Sequence, residues 1–118
     1  LIFDMYDRRN QLKIAELKIQ QSKRQLQETR NEIRNTVISY YNEMISKYKI
    51  FMIRNQEFYS TEVQLQLAEN QFKNGEIPLS DLTRHKSTHI KSMIDLETAR
   101  SEFLTSYMIL REVTGVKF

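Results

Sequence analysis

At 118 residues the chain is sized for one domain, and with 2 Gly and 1 Pro it has few points at which a helix must stop. Apolar residues make up 40% and charged residues 28%, while the absence of cysteine excludes disulfides and thiolate sites. The net charge of +3 is mild: Arg8, Arg9, Lys13, Lys18, Lys23, Arg24, Arg30 and Arg34 are interleaved with Asp4, Asp7, Glu16, Glu28 and Glu32, as on a solvated helix surface rather than a phosphate-binding stripe.

No Pro or Gly interrupts the chain from about Tyr6 to Phe72, and this span is predicted to be one helix, about 6–72. Its apolar positions follow a seven-residue step, first as Leu12, Ile19, Leu26, Ile33 and Tyr40, then as Val37, Met44, Phe51, Phe58, Leu65 and Phe72. Small residues, Ala15, Ser22, Thr29 and Thr36, stand at the same step between the early apolar ones. Large and small residues alternating along a seam predict a coiled-coil-like contact with close helix approach. The change of stripe near residues 36 to 40 predicts that the buried face rotates there. A helix of about 65 residues is close to 100 Å long at roughly 1.5 Å per residue.

The only strong break is Lys73-Asn74-Gly75-Glu76-Ile77-Pro78, a predicted turn over 73–78. Gly75 suits a left-handed residue just past a helix end, and Lys73 complements the carbonyl end of the helix dipole. Pro78 is tolerated in the first turn of the next helix, and Ser80 and Asp81 also favour a start there. A second helix is predicted over about 79–114. Leu82, His89, Leu96, Phe103 and Leu110 form one row of it, with His85, Ser92, Ala99, Ser106 and Val113 beside them; Thr114-Gly115 ends it.

The fold expected is therefore all-α, a long antiparallel helical hairpin forming a single domain over 1–118. Folding about Gly75 returns Gly115 to the neighbourhood of residue 35, so about 30 residues of the first helix lack a partner in this chain. Packing of an apolar face normally stabilises a helix, so this overhang is expected to meet another chain or another part of a larger protein. The chain starts at Leu1 rather than Met, and it is expected to be a processed or cloned fragment. No segment reads as a signal peptide, and no apolar run approaches the roughly 20 residues that a bilayer-spanning helix needs.

Residues 68 to 82, Ala68-Glu69-Asn70-Gln71-Phe72-Lys73-Asn74-Gly75-Glu76-Ile77-Pro78-Leu79-Ser80-Asp81-Leu82, resemble the turn signature of TolC-like outer-membrane efflux proteins. That signature runs from an Ala through an aromatic and a Gly to a small polar residue and an Asp before Leu or Val. Leu96-Glu97-Thr98-Ala99-Arg100-Ser101-Glu102-Phe103, continuing through Leu110 to Gly115, resembles the family's return helix. Leu1-Ile2-Phe3-Asp4 before Arg8-Arg9 resembles the end of its last barrel strand entering the long helix. Asn74 and Glu76 depart from the small apolar residue or Thr usual beside the Gly, and Pro78 is also less usual.

The resemblance implies a structural part in an efflux or secretion channel of a Gram-negative cell. In that family each chain carries two such repeats, and three chains close into an outer-membrane β-barrel continued by a periplasmic α-helical tunnel. The turns form the periplasmic tip, where an adaptor protein docks on behalf of an inner-membrane transporter. Carried over, the adaptor-docking tip comprises Phe72, Lys73, Asn74, Gly75, Glu76, Ile77, Pro78, Ser80 and Asp81. The implied partners are copies of the same chain, as a trimer in the parent channel, together with the adaptor and the transporter; the overhang, by itself, leads to the expectation that the isolated fragment self-associates over residues 8 to 35, most simply as a dimer. Contact with the outer membrane would come only through barrel strands that lie outside these residues, and the location implied is the periplasm.

Other chemistries compete for the same residues. Asp81, His85 and His89 share a helix face at a spacing that could ligate zinc, but the histidines also fall on the seam rows, where packing explains them. Tyr40, Tyr41, Tyr48, Phe51, Phe58 and Tyr59 could stack nucleobases, yet their helical spacing fits a packed face. Arg8 to Arg34 could be the basic region of a DNA-binding zipper, which the interleaved carboxylates oppose, and no nucleic-acid partner is expected. Neither a nucleophile with a neighbouring base nor a glycine-rich phosphate loop is present, so no enzyme, cofactor or metal is expected. The alternative to a channel segment is a free-standing coiled-coil interaction module.

Overall fold

The computed structural model describes residues 1–115, which form two helices and one short connection. Helix α1 spans Ile2–Lys73 and helix α2 spans Leu79–Thr114. The predicted bounds are met at the turn and at the far end of α2; residues 116–118 of the expected domain lie outside the described residues. The start of α1 differs. Instead of a strand end at Leu1–Asp4 and a helix from about residue 6, the helix begins at Ile2, with the Met5 N–H donating to the Leu1 carbonyl at 3.2 Å. A strand end needs a neighbouring ladder, and with no strand among the described residues the backbone groups pair along the helix instead. None of the described helices is long and apolar enough to cross a membrane.

The described residues fall into two units, Leu1–Ile38 and the residues from Ser39 onward. In the first unit every side chain is exposed except the half-buried Val37. Leu12, Ile19, Leu26 and Ile33 are each more than half exposed, as the overhang expectation requires. The helix here rests on local propensity and on weak side-chain pairs such as Gln27 with Asn31, which meet at 3.4 Å.

The second unit is the hairpin proper. Lys47 pairs with Glu102, Tyr48 and Phe51 meet Phe103, and Phe58 and Thr61 meet His89, so contacts run in opposite order along the two helices toward the turn. Both predicted rows of α2 face the seam except at Val113, which is exposed: Leu82, Leu96, Ala99, Leu110, Ser92 and Ser106 are buried, with Leu110 only 2% exposed. Small residues at Ser92, Ala99 and Ser106 let α1 come close, and the large ones beside them fill the space this leaves.

On α1 the seam is wider than the predicted stripe. The Val37 row is half-buried from Val37 to Leu65, but the row of Tyr40 does not leave the interface. It continues as Lys47, Arg54, Thr61 and Ala68, all at least half-buried, with Ala68 1% exposed. The change near residues 36 to 40 is thus an addition of one row beside another. Lys47 and Arg54 serve at a seam because their aliphatic stems cover apolar surface while their charged ends reach carboxylates. Lys47 Nζ lies 3.2 Å from Glu102, and Arg54 lies 2.9 Å from Glu57. The Glu57 hydrogen bond and charge, aided by Asp95, raise the Arg54 pKa above its ordinary value.

Midway along the seam is a polar cluster. Thr61 Oγ1 lies 2.7 Å from Ser92 Oγ and 3.1 Å from His89 Nδ1, and Ser92 Oγ donates to the His89 carbonyl at 2.7 Å. Beyond it the seam turns aromatic, with Tyr48, Phe51 and Phe103 in ring contact and the Arg100 guanidinium 5.9 Å from the Phe51 ring.

Leu96→Ala is expected to destabilise the hairpin by about 2–4 kcal/mol through a cavity. Ala99→Leu is expected to cost about 1–3 kcal/mol by forcing the helices apart. Denaturant unfolding followed by far-ultraviolet circular dichroism measures both, and two unchanged midpoints would mean that this seam is not the core.

Candidate functional site

The end of the hairpin is built by backbone geometry. Gly75 has a φ of +72°, in the left-handed region. With Gly75 there, its N–H donates to the Phe72 carbonyl at 3.0 Å and the Glu76 N–H donates to the Gln71 carbonyl at 2.8 Å. These two bonds form a Schellman closure, which satisfies carbonyls that the end of α1 would otherwise leave without partners. Lys73 stands in the last turn, where its charge complements the carbonyl end of the dipole.

The chain then re-enters a helix through Pro78. As the predicted turn over 73–78 requires, this proline is the residue before the helix, at φ −74° and ψ 162°. Its carbonyl accepts from the N–H groups of Asp81 at 3.1 Å and Leu82 at 3.4 Å, so α2 starts without a side-chain cap. The ring disfavours helical backbone at the preceding Ile77, which keeps the helix from starting before Pro78. Ser80 makes no capping bond, whereas Asp81 stands in the first turn, where a carboxylate is favourable.

Phe72, Lys73, Asn74, Gly75, Glu76, Pro78 and Ser80 are exposed, and Ile77 and Asp81 are half-buried. The nine predicted tip residues are therefore contiguous around one turn. Two neighbours were not among them. Leu79 is an exposed apolar side chain at the first position of α2, and its signal was an apolar residue outside the seam step. Arg84 reaches Asp81 at 3.9 Å, a spacing of three residues that the sequence does show. The surface thus presents Phe72 and Leu79 beside charges of both signs.

The candidate zinc face is used differently. The His89 ring stacks on Phe58 with centroids 5.0 Å apart and hydrogen-bonds Thr61, while Asp81 faces Arg84. Among the described residues no group of three or more His, Cys, Asp or Glu could hold a metal ion. The tyrosines and phenylalanines singled out for base stacking divide between the seam and its edges: Tyr40, Phe51 and Phe58 are half-buried, and Tyr41, Tyr48 and Tyr59 are exposed.

Compared with known proteins, residues 1–116 match a family model described as outer membrane efflux protein. Neither the curated proteins nor the solved structures give a match.

A Cβ placed on Gly75 would meet nothing within 4 Å, so a substitution there is opposed by backbone conformation alone. Gly75→Ala is expected to cost about 1–2 kcal/mol, and Gly75→Asn less, because Asn tolerates the left-handed region. Thermal unfolding of the two variants checks the order. Equal losses for Ala and Asn would point to a steric cause and contradict the open geometry.

Proposed function

Because the chain belongs to the outer membrane efflux protein family, we propose that its hairpin is a length of the periplasmic α-helical tunnel wall of an efflux or secretion channel, with the turn as its adaptor-docking tip. The observation that carries this reading is how much apolar surface the hairpin leaves outside its own seam. Val63 is 65% exposed and Ile94 is 60% exposed, and Leu67, Ile90, Met93, Leu104 and Met108 are exposed as well. A two-helix hairpin buries one face of each helix; a closed wall buries flanks too, because every hairpin has a neighbour on each side.

In this reading the contribution is architectural. The α2 rows lock the hairpin, the outer apolar residues meet neighbouring helices, and three copies of the parent chain close the tunnel. Barrel strands of the parent chain would reach the outer membrane. At the other end, Phe72 and Leu79 are the apolar anchors a docking protein would engage, while Lys73, Glu76 and Asp81 select it by charge. The adaptor would in turn link the channel to an inner-membrane transporter.

The test uses cells making the full-length protein that carries these residues. Glu76→Lys is expected to lower export several-fold, read as retention of a fluorescent substrate, while the protein stays at wild-type abundance in the outer-membrane fraction. The exposed change Lys86→Glu, away from the turn, serves as control and should leave export unchanged. Unchanged export with Glu76→Lys would remove the docking role, and recovery of the protein from the cytoplasm would favour a free-standing coiled-coil module.

A further inference from the structure

The polar cluster midway along the seam holds more contacts than its hydroxyls have protons. Thr61 Oγ1 lies 3.0 Å from the Phe58 carbonyl oxygen, 3.1 Å from His89 Nδ1 and 2.7 Å from Ser92 Oγ. Ser92 Oγ lies 2.7 Å from the His89 carbonyl oxygen, which makes four contacts in all. Each hydroxyl carries one proton, and the carbonyls can only accept. The one further source of a proton among these groups is the imidazole. We infer that the His89 ring carries its proton on Nδ1 and donates it to Thr61, so that α2 is the donor and α1 the acceptor at this point of the seam.

With the proton on Nδ1 the bonds run in one direction: His89 donates to Thr61, and Thr61 donates to the Phe58 carbonyl. Thr61 has a second lone pair for Ser92, whose proton is divided between Thr61 and the His89 carbonyl. Three protons then serve the four contacts. With the proton on Nε2 the bare Nδ1 has to accept from Thr61. The Phe58 carbonyl then loses its hydroxyl partner, and two protons serve the four. Water has little access to make up the difference, because Ser92 is 7% exposed and Thr61 and His89 are half-buried. Phe58 fixes the geometry twice. Its ring stacks on the imidazole, with centroids 5.0 Å apart and planes 30° apart, and its carbonyl takes the Thr61 proton. The seam therefore selects at residue 89 a nitrogen donor at the Nδ1 position as well as an aromatic ring. All of these groups lie inside the hairpin, so the assignment stands apart from the channel reading.

Nitrogen NMR of the isotope-labelled chain at alkaline pH, where imidazoles are neutral, reads the tautomer, since a protonated ring nitrogen and a bare one resonate far apart. His85→Gln assigns the His89 signals. The expected wild-type spectrum has the proton mainly on Nδ1 of His89. Thr61→Ser keeps it there, and Thr61→Val, which removes the acceptor, moves it toward Nε2. Thermal unfolding supplies a second readout. An Asn amide nitrogen can stand where Nδ1 stands and a Gln amide nitrogen where Nε2 stands, while both lose the Phe58 stack. His89→Asn is therefore expected to unfold about 4–8 °C above His89→Gln, the worth of one hydrogen bond in a unit of this size. A wild-type ring protonated on Nε2, a tautomer indifferent to Thr61→Val, or His89→Gln at least as stable as His89→Asn would each overturn the assignment.

Discussion

An apolar row on a helix has to be covered, and this chain has a helix of 72 residues but a second of only 36 to do it. Where α2 is present, the cover is complete enough to bury Ala68, Leu82, Leu96, Ala99 and Leu110. Over Leu1–Ile38 the same kind of row stands exposed. Gly75 fixes this inequality, since it is the point at which the chain turns, and its position sets how much of α1 can be matched. That placement decides which apolar rows of α1 the hairpin itself covers.

The hairpin seam is selective as well as apolar. Leucines alone would tolerate slippage by one heptad, because large residues recur at that step. Thr61, His89 and Ser92 oppose it. In register they satisfy one another at 2.7 to 3.1 Å; a heptad shift would leave hydroxyls facing leucine, at about 1–3 kcal/mol for each polar group left without a partner. The Lys47–Glu102 pair adds a weaker constraint of the same kind, being partly exposed. Polar residues inside a thin core therefore act as register marks, and the surrounding large and small side chains supply the adhesion.

How legible this was in the sequence depended on the chemistry of each signal. The turn could be read because Gly75 and Pro78 restrict the backbone directly, and both rows of α2 could be read because their side chains are plainly large or small. The second seam row of α1 could not. Lys47 and Arg54 look like surface residues by type, and only the partner helix reveals that their stems are covered. Pro78 could be placed at the end of the turn, just before α2, because its ring disfavours helical backbone in the residue before it. At the tip, the turn residues stood out but Leu79 did not, because a single leucine beside a seam carries no pattern of its own. Which protein meets that tip lies beyond what side-chain types can encode, as it depends on the shape of the other surface.

The exposed face of Leu1–Ile38 obeys the same grammar as the hairpin, large against small with flanking charges, and this bears on its strength. Covering the remaining half of each large side chain gains about 1 kcal/mol apiece. Over Leu12, Ile19, Leu26 and Ile33 that sums to about 4 kcal/mol, at the low end of the roughly 4–15 kcal/mol that bringing two separate chains together costs. A face of this strength would suit packing against a helix already held beside it, as in the tunnel wall proposed above, better than capture of a free chain.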